Sequence, residues 1–192
     1  MAAGLLLAVV SFGVFAVRSR LETARRAEIA RTLGEEMREM EVLVRFVSHL
    51  LPLHDVNRER AVVRHRMRDL EARLEGMGPS ARAPGSYALG RGHLVLGELD
   101  DARERLQRAW DLGLRTPDVA YALGLTLAQL YERQRRGFVS APTPAEREKR
   151  RRETDASLRD PALDLLAKAR GARMDSPAYA EALVAELQGD LD

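Results

Sequence analysis

The apolar positions of this 192-residue chain fall into helical spacing almost throughout. Met1–Val17 carries no charged residue and is rich in Leu, Val and Phe until Arg18 and Arg20 end the run. A helix of that length extends roughly 26 Å, the lower edge of what crosses a bilayer. A buried core helix is the other reading of the same run. A secretory signal would start basic and end in a small-residue cleavage site, and neither stands out. Beyond it Ile29, Leu33, Met37, Met40, Val44 and Val47 recur every third or fourth residue with charges on the other faces, the pattern of one long amphipathic helix. That stripe fits either a coiled-coil seam between two copies or packing on the next helix. Pro52 ends it, since proline cannot donate a backbone N–H and crowds the preceding turn. Asp55 or Asn57 can cap a return helix that runs to about Glu75 with Val63, Met67, Leu70 and Leu74 on one face. Leu21–Glu75 therefore reads as an antiparallel helical hairpin.

Gly76–Gly85, with Pro79 and Pro84, reads as a connector. Tyr87-Ala88-Leu89-Gly90 then recurs as Tyr121-Ala122-Leu123-Gly124. The spacing predicts one helix over Tyr87–Gly97 and a second over Asp100–Leu112, with Asp101-Ala102-Arg103-Glu104 as a capping box and Gly113 as the closing cap. Thr116-Pro117 opens a third, running to about Arg136, because Thr caps free N–H groups and Pro fits a first turn. The offset between the two Tyr-Ala-Leu-Gly words is the period of the tetratricopeptide repeat, which this stretch resembles. With Gly90 at repeat position 8, Ala102, Leu106 and Ala109 fall at positions 20, 24 and 27, where small residues let two helices cross closely. Ser86, His93 and Leu114 depart from the Trp, Tyr and Pro of the pattern.

The second copy breaks. Its corresponding residues, Arg136, Ser140 and Pro144, cannot form the partner helix. Gly137–Thr154 holds Pro142, Pro144 and the run from Arg147 to Glu153, and reads as a mobile, charged, solvated loop; Arg150–Arg152 are also candidates for phosphate or lipid contact. The spacing resumes at Ala162, Leu166 and Ala169 behind Asp160-Pro161, a cap-and-first-turn pair, and Ser176-Pro177 opens a last helix to about Gln188, whose outer side would cap the array. The expected organisation is all-α: a transmembrane segment over 1–17, a helical stalk and hairpin over 18–78, tetratricopeptide-like repeats over 86–136, a charged flexible insertion over 137–158 and C-terminal repeat helices over 159–188.

Composition narrows the chemistry. Aromatics are only 5%, so the core must come from Leu, Ala, Val and Met, which suits helices. The absence of cysteine removes disulfides, thiolate metal sites and thiol nucleophiles. Net charge is +2, with acidic and basic residues interspersed, a solvated surface rather than a nucleic-acid footprint. His49, His54, His65 and His93 have no acidic neighbours at a zinc-site spacing, so neither metal nor cofactor is expected.

The apolar span, the stalk, Leu51-Pro52-Leu53-His54-Asp55, Tyr87-Ala88-Leu89-Gly90-Arg91-Gly92-His93, Ala109-Trp110-Asp111-Leu112-Gly113, Val119-Ala120-Tyr121-Ala122-Leu123-Gly124 and Asp160-Pro161-Ala162 follow one another in an order that resembles the C-terminal region of membrane-anchored bacterial serine/threonine protein kinases of the myxobacterial type. There a kinase domain precedes a transmembrane helix and a tetratricopeptide-like region. No catalytic residue is assigned: Gly90-Arg91-Gly92 lies in a predicted helix, His65-Arg66-Met67-Arg68-Asp69 lacks the catalytic-loop spacing, and there is no Asp-Phe-Gly. The resemblance implies a non-catalytic sensor or protein-interaction module for signal transduction. It would be single-pass in the bacterial inner membrane, with the repeats outside the cytoplasm. Arg18, Arg20, Arg25 and Arg26 favour the opposite orientation. A free-standing anchored adaptor or scaffold is the alternative. Expected partners are a protein or peptide, the membrane and, through the stalk, a second copy, but not nucleic acid. By repeat position Tyr87, Arg91, Asp118, Tyr121 and Gln129 would face a concave partner-binding groove; the tyrosines could equally pack between helices.

Overall fold

Helix crossings in this protein are set where glycine meets a large apolar side chain. The computed structural model describes residues 56–137, 143–172 and 177–189. The expected span over Met1–Val17, the stripe up to Val47 and the Pro52 corner lie outside these residues. Among the described residues there is no strand and no helix long and apolar enough to cross a membrane.

Helix α1 (Val56–Met77) buries Val63, Met67 and Leu70, spaced by four and three, and exposes Arg64, Arg68, Glu71 and Glu75, as a one-face helix must. A short 3-10 turn over Pro79–Ala81 leads into α2 (Arg82–Leu96). The expected connector is thus shorter than the two prolines suggest. Pro84 sits in the first turn of α2, where its missing N–H has no helical partner to lose. Gly85 and Gly92, two turns apart, present bare backbone to α1: a Cβ on Gly92 would lie 2.7 Å from Met67 Sδ, and one on Gly85 would overlap the Leu74 side chain. Gly97 at φ 73° ends α2, and the Glu98 N–H returns to His93 O at 2.9 Å, a left-handed helix stop open to glycine.

Helix α3 (Leu99–Asp111) follows almost at once. The expected capping box does not form: no side chain caps the helix, and Asp100 and Asp101 lie in its first turn, where their charge still faces unpaired amides. Ala102, Leu106 and Ala109 are completely buried. A Cβ on Gly90 would lie 2.7 Å from Leu106 Cγ and 3.1 Å from its backbone N, so only glycine permits this approach. Gly113 closes α3 as expected: at φ 93° it lets the Leu114 N–H reach Ala109 O at 3.1 Å.

Helix α4 (Pro117–Arg135) starts at Thr116, whose hydroxyl accepts the Val119 N–H. It is buried on nearly every side because α3 and a later helix, α6 (Asp160–Lys168), both pack on it. The Thr126 hydroxyl is satisfied there by Ala122 O at 2.7 Å. Ala162 and Ala169 are fully buried at α6, with Leu166 between them at 8% exposure. A Cβ on Gly124 would meet Leu166 Cγ at 3.0 Å and Ala162 O at 3.3 Å. Gly124 therefore stands to Leu166 as Gly90 stands to Leu106, and the displaced spacing of the sequence is matched by packing.

The segment expected as an irregular charged loop is instead helical over α5 (Pro144–Thr154). Thr143 caps it, accepting the Glu146 N–H at 3.2 Å, and Pro144 is its first residue. Asp160-Pro161 is not a cap either. The chain runs from α5 through a π turn over Asp155–Arg159 straight into α6. The turn carries an Asp160 N–H to Asp155 O bond. The wider turn makes room where an α-helix would need an N–H from Pro161 and would drive its ring into the previous turn. Asp160 pairs with Arg159 at 3.0 Å rather than capping. Helix α7 (Pro177–Gln188) closes the described chain, burying Ala180, Leu183 and Leu187 against the same core.

Candidate interaction surface

The residues expected to face a concave groove are divided by the structure. Tyr87 and Tyr121, equivalent in the two copies, are 7% and 4% exposed and belong to the central core. Their rings pack between helices, one of the two placements that the sequence leaves open. Arg91, Asp118 and Gln129 are half-buried on α2 and α4.

A second polar constellation is not legible from spacing along one helix. The α2–α3 turn brings His93 and Glu98 together, with Nδ1 to Oε2 at 2.8 Å. Arg64 reaches across from α1 to the other oxygen, Oε1, at 2.7 Å through Nη2 and 3.2 Å through Nε. The Arg64 hydrogen bond holds the Glu98 carboxyl below the usual carboxylate range; partial burial opposes this and His93 adds to it. Asp101 completes a trio whose ligating atoms all lie within 4.8 Å of one another, so the histidines do have one acidic neighbourhood that helical spacing hides. The signal is His-x4-Glu-x2-Asp across a glycine turn. Its chemistry favours a latch over a cation site: both Glu98 oxygens are engaged, and the guanidinium already supplies positive charge there. The latch lies beside a cavity of about 220 Å³ between α1, α2 and α3. Glu71 on α1 and Arg105 on α3 also pair, at 2.6 Å and 34 residues apart in sequence.

Helix α5 is a different kind of surface. Its ion pairs are internal at i,i+3 and i,i+4: Arg150–Glu146, Arg151–Glu148, Arg152–Glu148 and Lys149–Glu153. Such pairs support an exposed helix by a few tenths of a kcal/mol each. They also reduce the charge that Arg150–Arg152 could offer a phosphate. Where α5 meets the core, burial pushes the Tyr131 hydroxyl above its ordinary value, and the adjacent Asp155 carboxylate acts in the same direction. Asp155 Oδ2 pairs with Arg159 at 3.0 Å, while its Oδ1 is buried without a hydrogen-bond partner among the described residues.

Fold and surface together define an all-helical protein built of helix pairs. Comparison with protein-family models, characterised proteins and solved structures finds no match for the chain.

Proposed function

We propose that this chain is a non-catalytic, membrane-anchored helical-repeat module that binds a protein partner for signal transduction, as its resemblance to the C-terminal region of bacterial serine/threonine kinases implies. The observation that carries the reading is one recurrent contact. Glycine of the Tyr-Ala-Leu-Gly word receives a leucine from the partner helix at Gly90–Leu106 and again at Gly124–Leu166. In a tetratricopeptide array these are positions 8 and 24, and their recurrence supports the repeat reading despite the interruption. Stacked first helices of such arrays leave a concave groove for an extended peptide. Here Arg91, Asp118 and Gln129 would contact it, while the two tyrosines hold the helices that form its wall.

The test uses the full chain in host membranes with a photo-crosslinking residue beside the groove. Crosslinks to one protein should form, and the double substitution Arg91→Glu/Gln129→Glu should abolish them with helicity unchanged. Absence of crosslinks, or the same crosslinks in both proteins, would sink the partner reading. A reporter fused after Gln188 separates the two orientations: activity only outside the cytoplasm supports an external sensor.

A further inference from the structure

Between α1, the start of α2 and the end of α3 lies a cavity of about 310 Å³, at the small end of ligand pockets. Its charges do not cancel. Arg105 on its wall is taken by Glu71 at 2.6 Å. Arg82 and Arg108 also line it, and neither makes an ion pair among the described residues; the same holds for Glu75. Ser86 lines it from α2, is only 6% exposed, and its hydroxyl has no hydrogen-bond partner among the described residues. Its hydroxyl is not sealed from solvent, as Asp155 Oδ1 is, but opens onto the cavity, where water or a ligand oxygen can satisfy it. Leu74 and Leu89 supply an apolar floor.

Two unengaged guanidiniums, one unengaged carboxylate, a hydroxyl and two leucines specify a ligand with three parts. A carboxylate suits the planar donors of Arg82 and Arg108, and Arg82 stands in the first turn of α2, where the helix end favours negative charge. An ammonium suits Glu75, and a short apolar group suits the floor. A phosphate dianion would meet the repulsion of Glu75, and a purely apolar ligand would strand the charges. We propose that this cavity binds a small zwitterionic carboxylate of the α-amino acid class. The Ser86 O–H donates to its carboxylate.

The site shares no residue with the concave face, so the partner reading can fail while this one holds. Calorimetric titration of the full chain with L-leucine, L-glutamate, acetate, n-butylamine and inorganic phosphate, each to ~10 mM to reach millimolar affinities, tests it. Saturable binding is expected for at least one amino acid and not for acetate, the amine or phosphate. Arg108→Gln and Ser86→Ala should each weaken that binding by about fivefold or more, and Arg103→Gln, on α3 but outside the cavity, should not change it. Should Arg108→Gln lose its fold, Arg82→Gln takes its place. The proposal is overturned if no amino acid saturates the protein, if acetate or phosphate binds as tightly as an amino acid, or if the cavity variants bind like the unmodified chain.

Discussion

The two helix pairs solve one packing problem with very different lengths of chain. In α2–α3 the leucine follows its glycine closely and the helices are joined by Gly97 and Glu98 alone. In α4–α6 the leucine lies more than twice as far along the chain from its glycine, and a charged helix and a π turn intervene. The extra length costs about 0.9 kcal/mol in loop closure if treated as flexible. Burying one leucine contributes about 2 kcal/mol. The contact therefore outweighs the detour, and side-chain volume at the crossing, not separation along the chain, decides which helices pair.

The pairs differ in tightness, and substitution can measure that. Leu106 is fully buried and Leu166 is 8% exposed. Leu106→Ala should cost about 3–4 kcal/mol and Leu166→Ala about 2–3 kcal/mol, measured by urea unfolding of the full chain. A larger loss for Leu166→Ala would reverse the comparison. The glycines sharpen it on a finer scale. Alanine gains about 1 kcal/mol of helix preference over glycine, while overpacking costs about 1–3 kcal/mol. At Gly90 the new Cβ meets Leu106 at 2.7 Å with the backbone 3.1 Å away; at Gly124 the nearest side-chain and backbone atoms are at 3.0 Å and 3.3 Å. The balance of the two terms should destabilise Gly90→Ala by about 1–2 kcal/mol. For Gly124→Ala the terms nearly cancel, leaving a loss of about 0.5 kcal/mol or less. Equal effects would mean that the two crossings are equally tight.

The repeated core is legible because it is written in residue size: the Tyr-Ala-Leu-Gly word and the two Ala-x3-Leu-x2-Ala spacings lead directly to the Gly90–Leu106 and Gly124–Leu166 contacts. Two misreadings share one cause, the treatment of proline as punctuation. Pro144 reads as a breaker, although Thr143 before it and Glu146 after it form the same opening as Thr116-Pro117. Pro161 reads as a helix start, but its cost is absorbed by the π turn before it, and no local pattern announces a π turn. The latch of Arg64, His93 and Glu98 cannot be read from the sequence at all. Two of its members meet across a turn and the third arrives from another helix, so it exists only once α1 is placed. The burial of Tyr87 and Tyr121 is one of two readings the sequence leaves open, and only packing chooses between them.

That latch gives the comparison its smallest and most specific break. The first pair is tied to α1 by charge, through Arg64–Glu98 and Glu71–Arg105, whereas the ion pairs of α5, from Glu146 to Glu153, stay within that helix. Glu98 has its carboxyl depressed in the folded protein by Arg64. A depressed carboxyl stabilises the fold above its unfolded value of about 4.3, and this contribution fades as pH falls through the folded value. The pair is partly exposed, so it contributes about 0.5–1 kcal/mol at neutral pH. Glu98→Gln should lower the free energy of urea unfolding by that amount at pH 7, and the gap should close as the pH falls below about 4. The gap should also shrink in ~1 M salt, where the Debye length is about 3 Å. A gap that survives acid unchanged would assign the loss to packing around the α2–α3 turn instead of charge, and would leave Glu71–Arg105 as the ion pair that ties α1 to α3.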